Sequence, residues 1–359
     1  MYQAIFYKSF RQKSIIIFLF LYSFSSFAQS TYVPSKSNIE NRKWFENLGL
    51  GLFIHFGIYS QLDDPDEAWA MRKYTIPQYE KFADQFDPKD FNAKKWVSTA
   101  KELGFKYITI TTKHHDGFCL FDSKYTDWTI MHHGKYRHDI IKAIADECHK
   151  QGIKLWLYYS LLDWHHPDFV FRKNEGGTYT HQLPNPNRDE KKYIQYMKNQ
   201  LTELLTNYGT VDGVWFDGYW SKDTSRYPFQ EIYGLVHKLQ PACMIINNHD
   251  MFYIPGEDAM VYALYDPFPQ AAYDSDSRLK QIPLQAMDMS SNKWGYYSKQ
   301  IYKPVDTLIH NMEKVAKRHA TFVLNTGPLP DGSIDPHFID TIRIVHVRLL
   351  KDLLRINNK

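Results

Sequence analysis

The sequence predicts an α/β chain closed into a (β/α)8 barrel, and three observations carry that expectation. Short apolar runs alternate with longer amphipathic stretches from about residue 51 to residue 325. The runs are nearly continuous in β-branched and aromatic residues, as expected of parallel strands buried on both faces. Eight such runs can be counted, the number a closed barrel requires. In order, the predicted strands are Gly51–His55, Tyr107–Thr112, Lys154–Ser160, Val211–Asp217, Met244–Asn247, Val261–Leu264, Ile282–Ser290 and Thr321–Asn325. Helices are expected over Pro88–Leu103, Asp139–Gln151, Asp189–Tyr208, Phe229–Leu239, Val305–Arg318 and Phe338–Leu354. Gly152 and Gly209 follow two of them as stop signals. The polar, Gly/Pro-rich stretch Asn174–Arg188 reads as a long loop on the barrel rim. An open doubly wound sheet is the alternative, but no GxGxxG or GxxxxGK[ST] follows any strand.

Composition narrows the function classes. The 359 residues are 43% hydrophobic and 23% charged, an ordinary globular balance, with a formal net charge of +3. No long basic run is present, so nucleic acid is not an expected partner. Aromatic content is 16%, with 26 Tyr and 9 Trp, which suits either a bulky core or a surface on which sugars stack. Lys8, Arg11 and Lys13 precede the apolar run Ile15–Tyr22, and Ser26-Phe27-Ala28 ends in a small residue. That layout is a secretory signal peptide over residues 1–28, too short in its apolar part to span a bilayer. An exported protein, periplasmic or extracellular, is expected, with the barrel occupying residues 29–359. Cys119, Cys148 and Cys243 are widely spaced and odd in number, so three buried thiols are expected rather than a disulfide framework.

Polar groups gather where the predicted strands end. His55 follows the first, Lys113-His114-His115-Asp116 the second, and Tyr158, Tyr159, Asp163 and Trp164 the third. Asp217 closes the fourth, Asn247-Asn248-His249 the fifth, and Asn325-Thr326 the eighth. Active sites of such barrels lie at the C-terminal ends of the strands. Asp217 sits in VWFDGYW between Trp215 and Trp220, where a carboxylate is partly desolvated and needs either partners or a task. The alternative is a helix N-cap. His114 and His115 are adjacent, so on a strand they face opposite ways and cannot share a metal without a bend. With no HxH or HExxH spacing, hydrogen bonding to a polar ligand is the expected role, and no metal or cofactor is expected.

The segments WFENLGLGLFIHFGIYS, FDPKDFNAKKWVSTAKELGFKYITITTKHHDGFCLFDSKYTDW, GIKLWLYYSLLDWHHP and GVWFDGYW resemble successive blocks of the glycoside hydrolase family of α-L-fucosidases. The resemblance runs from about Trp44 to about Asn325. It implies a retaining exo-glycosidase acting on fucosylated glycans, with Asp217 as nucleophile. It also implies a sugar pocket built from His55, His114, His115, a Tyr of the YYS block (Tyr159 chosen over Tyr158), Trp69 and Trp215. Retaining enzymes use a second carboxyl about 5–5.5 Å from the nucleophile as general acid, then base. In the family it follows the nucleophile in a variable loop. Candidates here are Glu257, Asp258 and Asp266; Glu257, the only Glu between Glu231 and Glu313, is the expected one.

Several positions depart from the family pattern. Its Glu-Trp pair after the first strand reads Glu67-Ala68-Trp69 here, with Glu67 shifted by one. His249 stands where many members have Arg, and Gln285 where a Glu precedes the Trp294-Gly295-Tyr296 block. Glu67 and His249 are carried forward as substrate-binding candidates. Many relatives continue into a β-sandwich, so this chain is expected to comprise the catalytic barrel alone. Two alternatives accompany the hydrolase reading: a fucose-binding pseudoenzyme with an impaired acid/base, and a retaining hydrolase of a related sugar such as an α-L-galactoside.

Overall fold

The computed structural model describes residues 32–47, 49–171, 187–220, 226–249 and 252–357, with residues 350–357 given by their backbone alone. The expected signal peptide over 1–28 and most of the loop 174–188 lie outside the described residues. The order is α1 (Lys36–Glu46), β1 (Leu50–Ile54), α2 (Ile76–Gln85), α3 (Ala93–Glu102), β2 (Tyr107–Lys113), α4 (Ile140–Gln151), β3 (Lys154–Ser160), α5 (Glu190–Thr206), β4 (Gly213–Asp217), α6 (Phe229–Leu239), β5 (Met244–Asn248), β6 (Met260–Ala263), α7 (Gln270–Ser275), β7 (Leu284–Met289), α8 (Val305–Ala316), β8 (Ala320–Thr326) and α9 (Pro336–Asn357). Short 3-10 turns at Ile58–Gln61 and Glu67–Lys73 shape the loop after β1.

All paired strands run parallel, in the ring order β5-β4-β3-β2-β1-β8-β7-β6. The ring closes where the N–H groups of Asp258 and Ala259 donate to the Ile245 carbonyl at 2.8 and 3.3 Å. The expected barrel is therefore present. The helix predicted from Pro88 starts later, because Asn92 caps α3 by accepting from the Lys95 N–H. All three cysteines are buried and free, as expected.

Strand alternation divides the core into two layers. Phe53, Tyr107, Trp156, Tyr158, Trp215, Met244, Ile246, Val261, Met287 and Val323 form one cluster inside the ring. Leu52, Ile54, Leu155, Leu157, Tyr159, Val214, Phe216 and Ile245 face the helices. Large rings fill the interior only because small residues face them. A Cβ on Gly51 would lie 2.0 Å from Tyr107 Cζ, and one on Gly213 would lie 2.3 Å from Trp156. The N-terminal mouth is closed by α1: Phe45 stacks on Trp156 with centroids 5.1 Å apart, and Asn38 and Asn41 donate to the Cys243, Asp212 and Ala242 carbonyls. Arg42 pairs with the fully buried Asp258. Among the described residues, the barrel mouth left uncovered is the C-terminal one.

Overpacking of this kind costs about 1–3 kcal/mol. Gly51→Ala is therefore expected to lower the melting temperature by several degrees in a thermal scan. An unchanged melting temperature would contradict the interior packing described.

Candidate active site

The strand ends build one small cavity of about 160 Å3, lined by Phe53, His55, Glu67, Trp69, His114, His115, Trp215, Asp217, Trp220, Asn248, Tyr265, Met287 and Trp294. Asp217 occupies the inward position of β4, two residues beyond Trp215, and does not cap a helix, since the next one begins at Phe229. Its Oδ2 accepts from the Tyr158 hydroxyl at 2.8 Å. Its Oδ1 accepts from Asn248 Nδ2 at 3.0 Å and from the Gly218 N–H at 2.8 Å. Gly218 must be glycine: its φ is +99°, and a Cβ would lie 2.6 Å from Leu162 Cγ. Burial raises the Asp217 carboxyl to about 6, and these three hydrogen bonds oppose the rise.

Tyr158, not Tyr159, is the tyrosine of the YYS block that turns toward the site, where it bonds Asp217. Tyr158 lies beside Trp215 in register and stacks on it at 5.6 Å. Tyr159 points outward, where its hydroxyl donates to Gln200 and its ring receives the Lys113 ammonium at 4.6 Å. The preference for Tyr159 is corrected by strand parity: positions 156 and 158 share the inner face.

Both histidines of the KHHDG segment reach the cavity, because β2 ends at Lys113 and alternation stops there. Lys113 turns outward to pair with Asp163 at 3.1 Å. Gly117, at φ +75°, lets the loop pass close to that carboxylate, where a Cβ would lie 2.1 Å from Asp163 Oδ1.

The hydrogen-bond network fixes the ring protons of the three cavity histidines. Asn325 Nδ2 donates to the Trp294 carbonyl, so its Oδ1 faces His55 Nδ1 at 2.6 Å and the proton sits on Nδ1. Ser160 gives its hydroxyl proton to the Leu162 carbonyl and so accepts from His115 Nδ1 at 2.7 Å. His114 is opposite: its Nδ1 accepts the His115 N–H at 2.8 Å, which puts its proton on Nε2. Burial keeps all three neutral, with His55 lowered to about 3 and His114 and His115 lowered well below the usual range. His55 and His115 therefore present acceptors, and His114 a donor.

His55, Glu67 and His114 place ligand atoms within 4.8 Å of one another, the geometry of a candidate metal triad. The His114 tautomer argues against it, since Nε2 carries the ring proton while Nδ1 is occupied by a backbone N–H. The donor set matches sugar hydroxyls better than a cation.

Glu67 sits in the cavity with its Oε2 buried, 3.8 Å from His114 Nε2 and without a hydrogen-bond partner. Its backbone φ of +47° is strained for a long side chain. Burial raises its carboxyl well above the usual range, and the Asp217 charge adds to the rise. The cavity thus biases Glu67 toward its protonated form beside the Asp217 carboxylate.

Trp69 and Trp220 stack at 5.3 Å, and both rings meet His115 edge-on. Trp215 donates its indole N–H to Gln285 Oε1, and Gln285 Nε2 donates to the Tyr107 hydroxyl. A Gln serves here because the position needs both an acceptor and a donor.

Glu257 and His249 are not brought into the cavity. Glu257 is fully buried and accepts from Tyr233, from the Ile254 N–H and from His249 Nε2 at 2.7 Å. A side chain closed into that network cannot protonate a leaving group in the cavity. Asp258 is equally buried against Arg42, His237 and the Ile245 N–H. Asp266 alone of the three is exposed, on a groove of about 730 Å3 beside the cavity. The residues that sequence reasoning passed over are Asn248, Trp220, Tyr265 and Trp294. Asn248 ends β5, among the polar strand-end groups noted above, and Trp294 lies in the loop after β7; Tyr265 carried no local signal.

The family profile described as alpha-L-fucosidase matches residues 19–346. The chain is 27% identical over 314 residues to alpha-L-fucosidase 1 of Arabidopsis thaliana, covering 82% of this chain and 56% of that protein. It is 26% identical over 336 residues to plasma alpha-L-fucosidase of Homo sapiens, covering 86% and 68%. It thus spans little more than half the length of the Arabidopsis relative. Among solved structures it resembles alpha-L-fucosidase isoenzyme 1 from Paenibacillus thiaminolyticus, with 29% identity, TM-score 0.76, and coverage of 87% of this chain and 76% of that one. It also resembles alpha-L-fucosidase AlfC from Lactobacillus casei in complex with α-L-fucose, with 25% identity, TM-score 0.75, and coverage of 88% and 99%.

The buried Asp217 charge gives a stability test. Its folded value near 6 exceeds the unfolded value of 3.8, so the penalty is absent below about pH 4, grows up to about pH 6, and is full above it. Asp217→Asn is expected to gain about 1–3 kcal/mol at pH 7.5 and almost nothing at pH 4, read by denaturant melts at both values. Equal effects at the two pH values would contradict the buried-charge assignment.

Proposed function

The chain belongs to the α-L-fucosidase family, and from that premise we propose that it hydrolyses terminal α-L-fucosyl residues with retention, Asp217 attacking the anomeric carbon. The observation that carries this reading is the small cavity at the end of β4. It holds the Asp217 carboxylate, a second carboxyl that burial biases toward its protonated form and three neutral histidines, with room for one sugar ring. Its apolar wall of Phe53, Trp215, Met287 and Trp294 suits the methyl group of a 6-deoxy sugar. The histidines suit its hydroxyls, with two acceptors and one donor already oriented. An α-L-galactoside would bring a further hydroxyl, which such a wall leaves without a partner.

In the first step Asp217 forms an ester with the anomeric carbon while a proton passes to the departing oxygen. In the second, water is deprotonated by the group that gave the proton, attacks the ester, and releases fucose and the Asp217 carboxylate. Glu67 is the proposed proton donor, being the carboxyl that shares the cavity with Asp217 and that burial biases toward its protonated form. A second assignment, Asp266, is supported by its exposure on the adjoining groove. The basic, apolar and small residues of positions 8–28 support export of the protein.

A sugar leaving group needs the acid, whereas 4-nitrophenolate barely does. Glu67→Gln is expected to lose about 10²–10⁴-fold in kcat on a fucosyl disaccharide and far less on 4-nitrophenyl α-L-fucoside, with azide restoring turnover of the latter. If Asp266→Asn shows that pattern and Glu67→Gln slows both substrates equally, the proton donor is Asp266 and Glu67 is a sugar-binding group.

The pH profile follows from the same groups. Asp217 must be ionised to attack, so kcat/KM is expected to fall about tenfold per unit below roughly pH 6. The neutral histidines contribute no limb near 6.5. A profile flat down to pH 4.5 would rule out Asp217 as the titrating nucleophile.

A further inference from the structure

The sugar cavity opens into two grooves of opposite character. One, of about 730 Å3, carries Asp266 and the rings of Tyr219, Trp220 and Tyr262, with no Lys or Arg among the described residues of its walls. The other, of about 670 Å3, shares Glu67, Trp69, Tyr265 and Trp294 with the cavity and adds Arg72, Lys73 and Lys293. These cations are not equivalent. Lys73 is met by Asp64 and Asp66, each at 2.8 Å. Arg72 lies over the Trp69 ring, 5.0 Å from its centroid. Lys293 is half-buried and makes no ion pair or side-chain hydrogen bond with any described residue. The acidic group that feels its charge is Glu67, whose carboxyl burial pushes toward its protonated form and which makes no ion pair with it.

The position of Lys293 is built rather than incidental. Its N–H donates to Ser291 Oγ, and Ser291 Oγ donates back to its carbonyl. Asn292 is tied to Ile301 through both its backbone and its side chain. The ammonium therefore stands on a fixed turn between the sugar cavity and the groove. Beside it lies the Trp294 indole, on which a second sugar ring can stack, while the Trp69 ring is already met by Trp220 and Arg72. A half-buried ammonium without an acidic partner attracts an anion more strongly than a fully solvated one does.

We propose that this groove receives the sugar that bears the fucosyl residue, and that it selects an acidic sugar, one carrying a carboxylate or a sulfate ester near Lys293. The inference rests on the α-L-fucosidase reading, with the leaving group on the Glu67 side of the cavity. The ring-lined alternative groove offers an anion no cation among its described residues and presents it with the Asp266 carboxylate.

The test compares kcat/KM on three α-L-fucosyl disaccharides of one linkage, whose second sugar is galactose, galacturonate or sulfated galactose. The wild type is expected to favour an acidic one by roughly fivefold at low salt, the ratio for an attraction of about 1 kcal/mol. The ratio should shrink toward one near 0.5 M salt, where screening is strong (about a few Å). Lys293→Met should bring it to about one. A preference confined to the galacturonate or to the sulfated arm identifies the anion. A wild-type ratio of one, or a ratio that survives Lys293→Met, overturns the proposal. Failure of the wild type to turn over 4-nitrophenyl α-L-fucoside, which carries no anion, would instead refute the hydrolase reading on which it rests.

Discussion

Everything at the C-terminal mouth depends on holding one carboxylate inside an aromatic barrel. Asp217 is 7% exposed, and an ionised carboxylate that is so far desolvated persists only with donors around it. Three are supplied by three different strands' ends: the Tyr158 hydroxyl, Asn248 Nδ2 and the Gly218 N–H. Each demands something of its neighbours. Tyr158 must stack on Trp215, Gly218 must take a positive φ against Leu162, and Asn248 must end β5 in register with Asp217. The partners lower the carboxyl from where burial alone would put it, yet leave it near 6, so it is charged at neutral pH but not deeply stabilised. A carboxylate with spare reactivity is the consequence.

The same burial works in the opposite direction on the rest of the cavity. The three histidines are held neutral and Glu67 is pushed toward its protonated form, so the cavity presents the Asp217 charge within a set of oriented dipoles. Orientation comes from outside it: Asn325, Ser160 and a backbone N–H each choose a tautomer. A ligand entering this space finds its hydrogen-bond pattern already set, which reduces the ordering cost of binding.

The barrel was legible because parallel strands buried on both faces announce themselves as apolar runs, and because polar groups collected only at one end of each. Asp217, His55, His114 and His115 were legible for the same reason, while Trp69 and Trp215 were read from the family resemblance. Tyr158 was readable in principle, since strand parity joins it to Trp156 and places it beside Trp215. What sequence could not supply was the path of loops. Glu257 follows β5 at a suitable distance along the chain, but its loop folds it inward onto His249 and Tyr233, where it supports the wall instead of facing the sugar. Glu67, one residue out of the family's spacing, is returned to the cavity by a strained backbone at φ +47°. Spacing alone does not reveal such a compensation, because it resides in a single dihedral angle.

The central claim is that Asp217 bonds covalently to the sugar during turnover. The direct measurement is to incubate the protein with a 2-deoxy-2-fluoro-α-L-fucosyl donor bearing a good leaving group, which slows hydrolysis of the ester more than its formation. Peptide mass spectrometry then locates the adduct. The account predicts one fluorofucosyl group, carried on the peptide that contains Asp217 and lost when activity recovers. An adduct on another carboxyl, or steady turnover of ordinary fucosides with inverted product and no adduct at all, would contradict it.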